Sequence, residues 1–312
     1  MKVTVILTSY NEYHSIAKAI SQIAKNDIKD LELLVVAPDE KTIEVAKKEL
    51  AKHPQLKASK IIKDAGTGKP NAINTAIPQA KGEIIIFTDG DMYISDNAIF
   101  LLLEGFTDEK VAGVSGHPVS LDDRNTFWGF SSHLFCYGAH TVRVALQKEG
   151  LPRKKKGYPP MSGYLYAIKM TKAVAKLFPL PTEIRAEDAY ISKRINELGY
   201  KTTYSPDALA YVRFPKNLHD WIDQKKRSLG GNIQIRIRAT LQKEGLPLFR
   251  RGIIQDTSGF FIPIKFASSP KEYFYLFGIY PLRLYLWILI YIQHYKKDYS
   301  NGRWEQIKSS KI

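Results

Sequence analysis

Strand-like and helix-like segments alternate over the first ninety residues, and this rhythm restricts the fold more than any other feature of the chain. Residues 3–8, 31–36, 60–64 and 84–87 read as strands, rich in Val, Ile and Leu. Residues 15–25, 41–51 and 71–79 read as the helices between them. Such alternation is built from crossover units around a parallel sheet whose strands are buried on both faces. Ligands of open α/β sheets collect at the carboxyl ends of the strands. The segments falling there are Thr8-Ser9-Tyr10-Asn11-Glu12, the stretch around Asp39, the loop 65–70 and Asp89-Gly90-Asp91.

The last of these carries the most chemistry. Two carboxylates separated by one residue at the end of a buried strand suit a hard divalent cation such as Mg²⁺ or Mn²⁺, and Gly90 is expected to let the backbone turn tightly. The loop Gly66-Thr67-Gly68-Lys69-Pro70 lacks the full phosphate-loop pattern, because Pro70 follows Lys69, which argues against an ATPase.

Further along, a helix is expected at 97–106 and a strand at 111–115, ended by Gly116-His117-Pro118. Residues 125–146 hold an aromatic group, Phe127, Trp128, Phe130, Phe135 and Tyr137, read as core. A strand at 161–168 opens with Ser162-Gly163-Tyr164, and a helix follows at 171–178. Another helix starts at Glu187-Asp188 and stops at Gly199, so both acids fall in its first turn, where the helix dipole favours them. Segment 143–152 resembles 238–247, and each is followed by basic residues, Arg153 to Lys156 and Arg250-Arg251. Residues 273–292 are apolar and aromatic over about the length of a membrane span. Pro281 and Arg283 lie in the middle, which favours two short interfacial helices, 273–280 and 282–295, over a single span.

With 46 Lys and Arg against 31 Asp and Glu, the chain carries +15, a charge that favours phosphate-bearing partners or an anionic membrane. No nucleic-acid recognition motif accompanies it, so nucleic acid is not the expected partner. The single cysteine, Cys136, excludes an internal disulfide, and residues 1–8 carry no secretory leader, so a cytoplasmic location is expected.

Taken in order, Thr8 to Glu12, Gly68-Lys69-Pro70-Asn71-Ala72-Ile73-Asn74, Asp89-Gly90-Asp91, Ser162-Gly163-Tyr164, Glu187-Asp188 and Gln224-Lys225-Lys226-Arg227 resemble the successive motifs of the inverting family 2 glycosyltransferases of GT-A fold. The resemblance covers roughly residues 1–230. It implies a nucleotide-sugar donor bound by Thr8, Tyr10, Glu12, Asp39, Lys69, Asn74, Asp89, Gln224 and Arg227. It implies a metal on Asp91 with Asp89 beside it, an acceptor side at Ser162, Gly163 and Tyr164, and Asp188 as base. Glu187 is expected to raise the proton affinity of Asp188 by like-charge repulsion. Two departures stand out: Ala37-Pro38-Asp39 replaces the family's usual Asp-Asp-Gly-Ser, and Ser228 stands where a Trp follows Gln-x-x-Arg. A sugar nucleotidyltransferase is the rival reading, but its glycine-rich basic loop after the first strand is absent.

The expected organisation is a catalytic domain over 1–215, with a nucleotide half at 1–92 and an acceptor half at 93–215, then a helical extension over 216–312. The expected acceptor is a polyprenyl phosphate or lipid-linked saccharide at the inner face of the cell membrane, with a soluble saccharide as the alternative. The membrane would be met through 273–295 and the basic loops.

Overall fold

In the computed structural model, residues 2–56, 58–148, 158–241, 259–295 and 308–310 are described. The first half follows the predicted rhythm: β1 (Val3–Thr8), α1 (Ile16–Ala24), β2 (Leu31–Ala37), α2 (Glu40–Leu50), β3 (Lys60–Lys63), α3 (Lys69–Ala76) and β4 (Ile84–Asp89). β3, β2, β1 and β4 lie side by side and parallel. Their apolar runs feed two cores, one on each face of the sheet. Val5, Leu7, Leu33, Val35 and Ile86 pack on one side, and Ile6, Leu34, Val36, Ile85 and Phe87 on the other. Register brings Thr8 level with both Val36 and Asp89, so the strand ends form one edge.

Beyond β4 the chain continues as β5 (Tyr93–Ile94), α4 (Ala98–Glu104), β6 (Val111–Ser120), α5 (Phe127–Lys148), β7 (Leu165–Lys169), α6 (Lys172–Ala175), α7 (Glu187–Glu197) and β8 (Lys201–Val212). The eight strands make one sheet in the order β3-β2-β1-β4-β7-β6-β8-β5. β7 runs antiparallel between β4 and β6, so the sheet is mixed. β8 was not anticipated, because Lys201 to Val212 carries no sustained apolar run and takes its place by pairing with β6. β6 also continues through Gly116-His117-Pro118, where a register shift against β8 absorbs the irregularity. Ser162 to Tyr164 form a turn ahead of β7 and not its first residues.

The C-terminal part adds α8 (Leu218–Leu241), α9 (Phe261–Phe266) and α10 (Pro270–Tyr295). The expected pair of short helices is one helix with Pro281 inside it. An interior proline costs about 3 kcal/mol in an isolated helix. Here burial offsets that cost: Leu276 and Ile279 pack with Phe130 and Leu134 of α5, and Leu286, Trp287 and Ile290 pack with Trp221, Leu229 and Ile233 of α8. Phe127, Trp128, Phe130 and Phe135 join these contacts as core, whereas Tyr137 is exposed. The Arg283 guanidinium stacks over Phe135 at 5.0 Å, which turns the mid-helix charge toward protein. The basic loops 153–156 and 250–251 lie outside the described residues.

Arg124 and Glu272 anchor the start of α10, with Nε to Oε1 at 2.7 Å and Nη2 to Oε2 at 3.2 Å. Their bond, helped by Ser268, holds the Glu272 carboxyl down at about 2. A depressed carboxyl contributes stability above its unfolded pKa and loses it as pH falls through the folded value. Chemical denaturation is therefore expected to show stability falling from about pH 5 to about pH 2. Glu272→Gln should remove part of that dependence and about 1 kcal/mol at neutral pH, since Arg124 is partly exposed and screened.

Candidate active site

The carboxyl ends of β1, β2 and β4 open on a cavity of about 810 Å³, closed on the far side by α5, the turn before β7, the start of α7 and part of α8. At one end stand Tyr10, Pro38, Asp39, Asp64 and Gly66. Asp39 caps α2: one carboxylate oxygen accepts from the Thr42 amide at 2.9 Å and the other from the Asn11 amide at 2.9 Å. Partial burial works against its charge, but the Thr42 and Asn11 bonds outweigh it and hold the carboxyl low. Asp39 thus shapes the first turn, which needs Asn11 in the left-handed region.

Glu12 is buried and accepts from Ser9 Oγ at 2.9 Å. Gly90 lies against this pair: a Cβ there would sit 2.6 Å from Glu12 Oε2 and 2.6 Å from Ser9 Oγ. The glycine is required by packing, since its φ is not left-handed.

Lys69, the first residue of α3, reaches into the centre of the cavity. Its ammonium lies 2.8 Å from Asp89 Oδ1, 3.0 Å from Glu187 Oε1 and 2.9 Å from the Gly163 carbonyl. Burial alone would pull the ammonium down, but the two carboxylates more than reverse this and hold it above the ordinary lysine range. Asp89 also accepts from Thr8 Oγ1 at 2.7 Å. Burial pushes its carboxyl up, with Lys69 opposing and Asp91 reinforcing. The short contacts on both of its oxygens favour the ionised pair.

Asp188 stands beside Gly163, where a Cβ would approach its Oδ2 to 3.2 Å. Burial raises the Asp188 carboxyl above the ordinary range, against hydrogen bonds from the Ala189 and Gly163 amides and the charges of Lys69 and Arg143. Desolvation is the leading cause, contrary to the expected repulsion by Glu187, which is paired with Lys69. Burial pushes Cys136 up to about 12, so this cavity thiol is no nucleophile.

Among the described residues no three His, Cys, Asp or Glu side chains converge as a closed metal cage. Asp89 and Asp91 both line the cavity, and an octahedral cation that takes its other ligands from phosphate and water fits such a pair. Lys69 and Thr8 engage Asp89.

Ser162, Gly163, Tyr164, Glu187 and Arg227 line the same cavity. Two expected residues do not. Asn74 turns to the loop before α7, where Nδ2 donates to the Leu180 carbonyl at 2.8 Å and Oδ1 accepts from its amide at 2.6 Å. Gln224 is buried in α8, outside the lining. Lining residues that the sequence did not single out include Asp64, whose Oδ1 is buried without a hydrogen-bond partner among the described residues, Arg143, Arg185 and Lys225. Arg143 offered only its place in the repeated segment, and Lys225 only a basic run. Asn74→Ala is expected to lower stability by about 1–3 kcal/mol, by stranding the Leu180 amide and carbonyl, while nucleotide affinity stays constant in calorimetry.

The first 231 residues match the family model described as glycosyltransferase like family 2. Curated relatives include the poly-beta-1,6-N-acetyl-D-glucosamine synthases of Staphylococcus epidermidis, 22% identical over 256 residues, and of Staphylococcus aureus strain COL, 22% over 260 residues. Each alignment takes in 79% of this chain and 59% of the relative, so the chain spans about three fifths of the length of those relatives. Among solved structures, the mannosyltransferase PcManGT from Pyrobaculum calidifontis, in complex with GDP-Man and Mn²⁺, superposes with a TM-score of 0.66 at 22% identity. That match covers 94% of this chain and 86% of the other, and it is a likeness of fold. A family model spanning residues 1–231 of 312, on a sheet of GT-A architecture, makes the chain a member of glycosyltransferase-like family 2.

Proposed function

We propose that the protein is an inverting glycosyltransferase that moves a sugar from a UDP- or GDP-linked donor to a membrane-borne acceptor, a polyprenyl phosphate or a lipid-linked saccharide. The observation that carries this reading is a single cavity in which the Asp89-Asp91 pair is tied through Lys69 and Gly163 to Glu187 and Asp188. Nucleotide-sugar chemistry is supported by the family and by the GDP-Man and Mn²⁺ bound in the mannosyltransferase of like fold.

The nucleotide base lies at the Tyr10 and Asp64 end. Tyr10, 46% exposed, offers a ring for stacking, and Asp64 Oδ1 accepts the ring N–H that uracil and guanine share. A Mg²⁺ or Mn²⁺ ion on Asp91, with Asp89 alongside, would supply positive charge to the departing diphosphate. Arg227 adds positive charge from α8. Lys69 holds Glu187, the neighbour of Asp188, in place. Asp188 takes the proton of an acceptor hydroxyl, and its burial moves its pKa toward the range where a base works best. Toward an ionised phosphate acceptor it orients the attacking oxygen.

The apolar helix α10 supports the membrane part of this reading. Residues Pro270–Gln293 are long and apolar enough to cross one, and 28% of the apolar window is buried. Phe274, Phe277, Leu284, Tyr285, Ile288, Tyr291 and Ile292 form its outward stripe, with Phe274 and Phe277 72% and 78% exposed. Such a stripe suits an interfacial position at the cytoplasmic face. The second reading is a soluble saccharide acceptor, favoured by the packing of Trp287 and Ile290 against α8.

Incubation with Mn²⁺ and a panel of UDP- and GDP-sugars should release nucleotide, and Asp91→Ala should lower the rate by about 100-fold or more. No release from any donor, or no effect of Asp91→Ala, would end the proposal. Asp188→Asn should cut transfer to a hydroxyl acceptor by about 100-fold or more and leave donor affinity nearly intact. In the wild type, kcat should rise with pH across a range above that of an ordinary aspartate, and Asp188→Asn should lose this limb. Equal loss of donor binding would make the role of Asp188 structural.

A further inference from the structure

Arg143 has no part in the scheme above, yet it lies at the same cavity. Phe135, Cys136, Ala139 and Arg143 recur at three- and four-residue intervals on α5 and form the inward stripe that lines the acceptor side. Arg143 is 9% exposed. Its Nε donates to the Pro160 carbonyl at 2.9 Å and its Nη1 to the Ala139 carbonyl at 3.3 Å, while the Tyr204 ring lies 5.9 Å away. Those two carbonyls fix the plane of the guanidinium, and among the described residues Nη2 donates no hydrogen bond. Asp188 is close enough to interact with it electrostatically, but among the described residues no carboxylate comes within ion-pair distance of Arg143.

A guanidinium removed from water without a counter-ion is strongly unfavourable unless an anion joins it. Its planar fork matches phosphate oxygens two at a time. A second buried cation lines the same wall: the Lys225 ammonium sits 3.7 Å above the Phe135 ring and 5.1 Å from that of Phe214. The cavity therefore has acidic residues at Asp89, Asp91, Glu187 and Asp188, the last within electrostatic reach of Arg143, and a basic side on α5 and α8.

We infer that Arg143 is the receptor for a phosphate monoester carried by the acceptor, which rests on the transferase reading and narrows its acceptor class. A monoester fills the fork with two oxygens while its ester oxygen leads to the rest of the acceptor. A lipid phosphate and a sugar phosphate share this chemistry.

The test is calorimetric titration of the full chain, with and without nucleotide and Mn²⁺, using inorganic phosphate, a short alkyl phosphate and the matching alcohol. The wild type should bind both phosphates and not the alcohol. Arg143→Met should weaken phosphate binding by at least about tenfold, and Arg143→Lys by an intermediate factor, since a point charge replaces the fork. Equal phosphate affinity in wild type and Arg143→Met, or equal binding of alcohol and phosphate, overturns the inference. If Arg143→Met does not fold, Arg143→Lys decides, and unchanged affinity there overturns it as well. Polyprenyl phosphate in micelles and a hexose phosphate then separate the two sources by which one binds more weakly to the variants. Phosphate binding that depends on Arg143 without donor turnover keeps the subsite and removes the transferase; turnover with phosphate binding indifferent to Arg143 does the reverse.

Discussion

The ammonium of Lys69 is the contact on which the rest of the site depends. It is largely shielded from solvent and meets a carboxylate from β4, a carboxylate from α7 and a carbonyl from the turn before β7. Three segments that lie 20 to 118 residues from Lys69 in sequence are joined at one atom. In a buried site such an arrangement is stable only while all its members are present, because removing one leaves the others charged and unsolvated. The ion pairs tie Asp89 and Glu187 to Lys69, and burial is the main cause that raises the proton affinity of Asp188.

The same economy of position governs the glycines. Gly90 has room for no side chain because Glu12 and Ser9 press against it, and a Cβ on Gly163 would crowd Asp188. Each lets a carboxylate come close to backbone at the cavity wall. Helix α5 unites the two ends of the molecule. Its inward residues line the cavity, while Phe130 and Leu134 receive α10 and Trp128 and Phe135 meet the cluster shared by α8 and α10. An apolar helix docked there carries its outward stripe on the same helix that lines the cavity.

How much could be read beforehand varied with the kind of signal. Periodicity revealed β1, β2, β4 and α1, because strands and helices that bury a continuous face need a continuous pattern. The strand β8 escaped it, because half of its residues face neighbours that no local window contains. α10 escaped it in the opposite way: Pro281 argued for a break, and distant contacts on α5 and α8 overrode the local penalty. In the site, acids adjacent in sequence were legible as pairs. Asn74 was misplaced because an amide at the right spacing can turn to the chain beside it as readily as to a ligand. Arg143 and Lys225 looked like ordinary members of a basic surface, since burial is not visible from residue type.

The sequence by itself determined the parallel half of the sheet, the order of the strand-end segments and the acidic residues among them, because these follow from local periodicity and chain connectivity. Only the tertiary structure decided which carboxylate is tied to Lys69, what raises Asp188, which residues leave the cavity and which cations enter it. Each of those outcomes is a property of distance and desolvation between segments far apart in the chain, and neither quantity exists until the segments have packed.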